Sequence, residues 1–300
     1  MRVHFHDDYV VPLPEGHAFP MRKFRILRDI LLREGLLDAE DVVAPPEAPW
    51  ELLALAHSAD YLASLRDGTL SPEAVRRLGL PWSPGLVVRS RRATMGTLMA
   101  AQAALEQGIA ANLAGGTHHA RHGHGEGYCV INDVVVAVRA LARTGRASRA
   151  LVVDLDVHHG NGSAELLAAD PGAFTFSMHG ARNYPLQRPP SSLDIELPDG
   201  TGDDQYLAAL DAHLGTCFDR ARPQVAFYLA GVDVVAGDRF GRLALSRDGL
   251  AARDRRVLEA ASRRGVPLVL VLGGGYARTA EDTADLHAQV HRQARALGLG

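Results

Sequence analysis

A chain of 300 residues, 47% hydrophobic and 22% charged, is long enough to bury a large core and has the balance of a globular protein. With a formal net charge of −3 and arginines scattered along helical stretches such as Arg253, Arg255, Arg256, Arg263 and Arg264, it has no basic block, which argues against direct nucleic-acid binding. No apolar run approaches the roughly 18 residues of a membrane span. The opening residues Met1–Asp8 lack a signal-peptide core, and Cys129 and Cys217 stand alone, so reduced thiols and a cytoplasmic location are expected.

Taken in chain order, the pattern predicts a helix over Ala93–Gln107, a strand over Ala110–Leu113, a helix over Asp133–Ala142 and strands over Ala150–Leu155 and Phe174–Met178. A helix over Asp204–Arg220, a strand over Val225–Leu229, a helix over Arg247–Arg263 and a strand over Leu268–Leu272 follow. Ser246 suits the N-cap of the last helix, and Gly265 lies past its end. No linker, low-complexity tract or fixed-period repeat interrupts the chain, which reads as one domain over 1–300. Continuous apolar strands alternating with helices predict an α/β fold with a mainly parallel sheet covered on both faces.

In such sheets chemistry collects beyond the carboxyl ends of the strands. The run 110–113 leads into Gly115-Gly116-Thr117-His118-His119, and 150–155 into Asp156-Val157-His158-His159-Gly160-Asn161-Gly162. The run 225–229 leads into Ala230-Gly231-Val232-Asp233, and 268–272 into Gly273-Gly274-Gly275-Tyr276.

Asp154, Asp156 and His158 alternate, so an extended segment puts them on one face. Three such groups cost too much to bury without a cation or many hydrogen bonds. Their oxygen and nitrogen donors suit zinc, and also iron, cobalt or manganese, with Asp233 the best further ligand. Two carboxylates and one histidine leave a coordination position open, as in a catalytic site. The competing reading is a solvated polar strand end. His118-His119 after a double glycine fits proton transfer near neutral pH better than packing, whereas His122 and His124 read as loop residues. Tyr276, behind three glycines, is placed to donate a hydrogen bond to a developing oxyanion, or else to pack on the core.

Together the segments Gly115–Ala120, Gly127–Asp133, Asp154–Gly162, Gly231–Asp238 and Gly273–Tyr276 resemble, in order, the motifs of the histone deacetylase family in the arginase/deacetylase superfamily. Pro12–Phe24 and Gly237–Ser246 are most similar to the class IV branch and its bacterial relatives. The resemblance implies a three-layer αβα fold and a zinc-dependent amidohydrolase (Fe2+ or Co2+ being alternatives) that removes acetyl or longer acyl groups from lysine. It implies Asp156, His158 and Asp233 as metal ligands, His119 as general base, His118 with its partner Asp154 as supporting histidine, and Tyr276 as carbonyl-polarising phenol. Asn161 stands where many members have an aspartate paired to His119, which predicts a lower proton affinity for His119. Gly127, Tyr128, Tyr184 and Gly274 fall along the implied acyl-lysine channel, and Asp154, Asp156 and Ser177 at an implied potassium site.

The acidic rim residue of class I members has no counterpart here. The segment Gly79–Gly85, with Trp82 and two prolines, predicts an apolar rim in its place. An acetylpolyamine or other small-molecule deacylase would share all the catalytic residues. A binuclear manganese amidinohydrolase would need a DxDxxD-type motif, whereas Asp233 and Asp238 are spaced differently. An inactive acyl-lysine binder is at odds with the intact motifs. Sequence leaves the oligomeric state open.

Overall fold

The computed structural model describes residues 1–299. Strand β1 spans Arg2–His4, helix α1 Lys23–Arg33, β2 Val42–Val43, α2 Trp50–Leu53, α3 Ala59–Asp67, α4 Pro72–Leu78 and α5 Pro84–Gln107. Then come β3 (Ile109–Asn112), α6 (Asp133–Arg143), β4 (Ala150–Asp154), α7 (Asn161–Leu167), β5 (Ala173–Gly180) and β6 (Leu193–Leu197). Helix α8 (Asp203–Ala221), β7 (Val225–Leu229), α9 (Arg247–Arg263), β8 (Leu268–Val271) and α10 (Ala280–Ala296) complete it.

The eight strands form one sheet in the order β2-β1-β3-β8-β7-β4-β5-β6, and every pairing is parallel. Helices α1, α10, α9 and α8 pack in series along one side, and α5, α6 and α7 pack together in a second helical layer. This is the expected three-layer α/β architecture. Every residue of β3, β4, β7 and β8 is buried, as continuous apolar strands require. Each fully buried Val, Leu or Phe among them contributes roughly 1.5–3 kcal/mol. Those four strands are neighbours, so their carboxyl ends open side by side at one edge of the sheet.

The five predicted strands and four predicted helices all form, with small shifts at their ends. The Ser246 hydroxyl caps α9 by accepting from the Gly249 N–H, and Gly265 follows its end with φ 61°. The largest shift is in α5, which begins at Pro84 rather than Ala93, because Ser83 caps it and proline fits its first turn. The edge strands β2 and β6, and β1 beside β2, are short or alternate with polar residues and gave no apolar run. Helix α10 escaped prediction because its buried face holds only two large aliphatics, Leu286 and Val290, among small and polar residues such as Ala284, His287, Ala288, His291 and Ala294.

Candidate active site

The loop after β4 begins the site. Asp154 is the last strand residue, in register with Ser177 on β5 and Leu229 on β7. Beyond it the chain bends instead of continuing as a strand, which corrects the expectation of an extended DxDxH segment. The bend is held by the side chains themselves: Asp154 Oδ1 accepts from the Asp156 N–H (3.2 Å) and Asp156 Oδ1 from the His158 N–H (2.9 Å). Asp154 thereby turns to one neighbour while Asp156 and His158 turn to another.

The second neighbour is Asp233, beyond β7. One ligand atom from each of Asp156, His158 and Asp233 lies within 4.8 Å of the others, and all three are buried or nearly so. His158 Nδ1 stands 3.0 Å from Asp156 Oδ1 and 3.2 Å from Asp233 Oδ2. The latter approach lacks hydrogen-bond alignment, so Asp233 Oδ2 is a buried carboxylate oxygen without a hydrogen-bonded partner. Burial and the adjacent Asp156 charge push Asp233 up to about 7. Burial opposes charge on His158, yet contact with Asp156 and Asp233 pushes it up to about 10. Both shifts express a shortage of positive charge among buried anions, the condition a divalent cation relieves. The donor set therefore fits a metal ion.

Gly274 enforces the crowding. Its N–H donates to Asp156 Oδ2, and a Cβ there would lie 2.0 Å from Asp233 Oδ2. Only glycine leaves room for both carboxylates.

His118 and His119, beyond β3, face this cluster. His118 Nδ1 lies 2.7 Å from Asp154 Oδ2, His119 Nδ1 lies 2.7 Å from Asn161 Oδ1, and the two Nε2 atoms are 3.1 Å apart. Burial alone would lower His118, but Asp154 and Asp156 outweigh it and hold the ring up at about 9. His119 is driven well below its ordinary value by burial, with the charges of His118 and His158 adding to it. The dyad at neutral pH is thus an imidazolium beside a neutral imidazole. Asn161 Nδ2 donates to the Glu126 carboxylate, which leaves Asn161 Oδ1 to accept from His119 Nδ1–H. This network puts the proton of His119 on Nδ1 and leaves Nε2 unprotonated, where it accepts from His118 Nε2–H at 3.1 Å.

Glu126 is a residue that sequence reasoning missed; the signal was a lone acid between Gly125 and Gly127 beside the tyrosine motif. Its carboxylate reaches His119 only through the Asn161 amide, so the ring itself keeps a neutral partner. His124 lies 3.4 Å from the same Glu126, while His122 bonds the Ala56 carbonyl.

Tyr276 is buried, and its backbone N–H donates to Asp238 Oδ2 at 2.6 Å. Asp238 Oδ1 also accepts from the N–H groups of Phe240 and Gly241, so one carboxylate ties the Tyr276 loop to the loop after β7. Burial, together with the Asp233 and Asp156 charges, keeps the phenol protonated. Tyr276, Tyr128, Phe240, Tyr184, His119 and His158 line a cavity of about 440 Å³ opening to the surface. Tyr128 adopts φ 67°, a left-handed conformation costly outside glycine and held by its N–H donating to the Leu78 carbonyl at 2.8 Å and by the mutual Glu126–Cys129 backbone bonds that close the turn around it. Tyr184 stands edge-on to His119 with centroids 5.0 Å apart. Gly127 sits against the His119 ring. A smaller void of about 40 Å³ beneath the dyad is lined by Lys23 and Arg89, neither of which was singled out from sequence.

The expected apolar rim meets a different geometry. Trp82 does not reach the cavity: its indole packs under Gly68 and donates to the Leu65 carbonyl at 2.8 Å. Arg76, Arg77, Arg182 and Arg242 stand at the mouth in place of an apolar rim. Ser177 Oγ lies 3.0 Å from His179 Nδ1, inside the buried strand layer. A hollow of about 450 Å³ at the far edge of the sheet, lined by residues such as Gln107, Leu258 and Pro267, offers no acid, base or imidazole side chain and plays no part in the site. Among the described residues no helix is long and apolar enough to cross a membrane.

The histone deacetylase domain profile matches residues 17–292. The chain belongs to the histone deacetylase family. An uncharacterized protein of Picosynechococcus sp. is 48% identical over 293 residues, 97% of each chain. Histone deacetylase 2 of Arabidopsis thaliana is 31% identical, covering 92% of this chain and 74% of that one. Histone deacetylase 1 of Homo sapiens is 27% identical over 87% of this chain and 58% of its own length. The solved HDA15 HD domain superposes with a TM-score of 0.77 over 96% of this chain at 19% identity, which carries the fold. Membership in this family makes the chain a hydrolase acting on amide bonds, with deacylase activity.

Proposed function

We propose that the protein is a zinc-dependent deacylase that removes acetyl or longer acyl groups from lysine side chains. The observation that carries this reading is the convergence of Asp156, His158 and Asp233 on one point, facing the polarised His118–His119 pair across a cavity that Tyr276 also lines. A zinc ion held by those three residues (Fe2+ or Co2+ suit the same donors) supplies Lewis acidity toward water and the acyl carbonyl.

The chain's own groups do the rest. His119, neutral and unprotonated at Nε2, takes a proton from the attacking water and returns it to the leaving amine. His118, held as an imidazolium by Asp154, stabilises negative charge as it develops and keeps His119 Nε2 oriented. The Tyr276 hydroxyl donates to the acyl oxygen as the tetrahedral centre forms. Gly127, Tyr128, Tyr184 and Gly274 border the path of the acyl-lysine, the aromatic rings excluding water from it. Asp154, Asp156 and Ser177 are the candidates for holding potassium behind the site. The whole of 1–300 is taken as one catalytic domain.

The test is a panel of acetyl-lysine peptides, long-chain acyl-lysine peptides and acetylated polyamines, assayed after metal removal and reconstitution with zinc, iron or cobalt. Restored turnover of an acyl-lysine peptide by zinc supports the reading. Two manganese ions per chain with no amide hydrolysis would overturn it.

A further inference from the structure

The mouth of the active-site cavity is built from arginine. Arg76 and Arg77 come from the last turn of α4, Arg182 from the loop after β5, and Arg242 from the loop after β7. Three separate segments thus bring guanidinium groups to one opening, in a chain whose overall charge is −3. Their compensation is incomplete. Arg77 pairs with Glu73 at 3.2 Å, whereas Arg182 and Arg242 share the single carboxylate of Asp199 at 3.8 and 3.3 Å. Arg76 makes no ion pair among the described residues. No acidic residue lines the cavity. The side chains are open to solvent, 43% for Arg77, 56% for Arg242 and 77% for Arg182, so they are free to meet a ligand.

We propose that this mouth selects acylated amines whose remainder is anionic, with carboxylates flanking the acyl-lysine, and disfavours cationic ones such as acetylated polyamines. This rests on the deacylase reading above and specifies its substrate class. A guanidinium matches a carboxylate with two parallel N–H donors. The cavity wall behind the mouth is aromatic and neutral at its surface: Tyr128, Tyr184 and Phe240 supply contact but no charge. Discrimination by charge therefore falls to the arginines. A substrate carboxylate relieves the unpaired positive charge there, whereas a polyamine chain adds to it. Because the groups are exposed, the preference is screened by salt and appears in KM more than in kcat.

The experiment compares kcat/KM for three acetyl-lysine peptides whose neighbours are aspartate and glutamate, serine and glutamine, or lysine and arginine, with free Nε-acetyl-lysine and an acetylated polyamine alongside. At low ionic strength the acidic peptide is expected to exceed the basic one by about tenfold, and the ratio should collapse toward one in half-molar salt. Efficient turnover of free Nε-acetyl-lysine would place the recognised anion in a single α-carboxylate; turnover of the acidic peptide alone would place it in the flanking side chains. Either result keeps the anion preference. The variants Arg182→Glu/Arg242→Glu and Arg76→Glu/Arg77→Glu should each shrink the acidic-to-basic ratio, a quantity internal to each variant and independent of how much of it folds. Equal rates on all three peptides, a preferred polyamine, or a ratio untouched by both variant pairs would overturn the rim proposal while leaving the deacylase reading intact. Absence of turnover on every acylated compound would overturn both.

Discussion

His119 Nδ1 lies 2.7 Å from Asn161 Oδ1, and Asn161 passes the contact on to Glu126 through its amide NH2. The neutral amide fixes the tautomer of His119 without a charge beside the ring, so the imidazole stays far less basic than an ordinary histidine. Asn161→Asp places an anion against Nδ1 and stabilises the imidazolium. The pKa of His119 rises, so a base that must be neutral is lost earlier as pH falls. The acid limb of the kcat/KM profile should move upward by about one pH unit. A pH–rate profile of the variant that coincides with wild type would remove Asn161 from control of this base.

Tyr276 is protonated at neutral pH because burial and the nearby Asp233 and Asp156 charges oppose its ionisation. Tyr276→Phe deletes only the donor and keeps the ring contacts with Phe240 and Tyr128. Turnover should fall at least about tenfold, about 1.4 kcal/mol of transition-state stabilisation, with metal content unchanged. Steady-state kinetics beside elemental analysis checks both halves. Wild-type kcat in the variant would mean that the oxyanion is held elsewhere.

Asp233 holds an unpartnered oxygen in a fully buried site. Without metal its burial beside Asp156 is a cost, so chelation should lower Tm, and zinc should restore it in proportion to ln(1 + [Zn]/Kd). Asp233→Asn removes one ligand charge and relieves that repulsion. The variant should lose zinc yet melt higher than metal-free wild type. Calorimetry of the two metal-free proteins decides this. A lower Tm for Asp233→Asn would show that the carboxylate is compensated by its protein neighbours alone.

The sheet was legible because its four central strands are continuous apolar runs, and the site because its residues follow those strands directly. Asp156, His158, Asp233, His118, His119 and Tyr276 could each be picked out by position after a strand. Glu126 and Asp238 could not, since their roles depend on loops closing from distant positions: Glu126 meets a residue 35 positions away and Asp238 one 38 positions away. Trp82 misled for a related reason. An aromatic between prolines looks like a rim, but only the fold reveals that Gly68 leaves a slot for its indole. The arginines at the mouth were visible singly, and nothing local in the sequence brings α4, the loop after β5 and the loop after β7 together.

His57 ties a second, structural proton to the site. Its Nδ1 bonds the Arg121 carbonyl at 2.8 Å, and its Nε2 accepts from the Asn132 N–H at 2.9 Å, so the buried ring must be neutral with its proton on Nδ1. Asn132 in turn donates to the Ala120 carbonyl, next to the histidine pair. Burial lowers His57 to about 4, even though the Arg121 carbonyl favours the charged form. Above its unfolded value of about 6.5 the folded and unfolded chains bind the same proton count and this group adds no pH dependence. Between about 6.5 and about 4 only the unfolded chain gains the proton, so stability falls as pH falls, by about 1.4 kcal/mol per unit and up to roughly 3 kcal/mol in all. His57→Asn should be less stable at pH 7.5 by about 1–3 kcal/mol, through the stranded Asn132 N–H and Arg121 carbonyl. Its stability should also decline less steeply with acid. Urea unfolding at pH 7.5, 6 and 5 measures both slopes, and parallel slopes for wild type and variant would assign the acid sensitivity to other buried histidines such as His4 and His291, which burial also lowers to about 4.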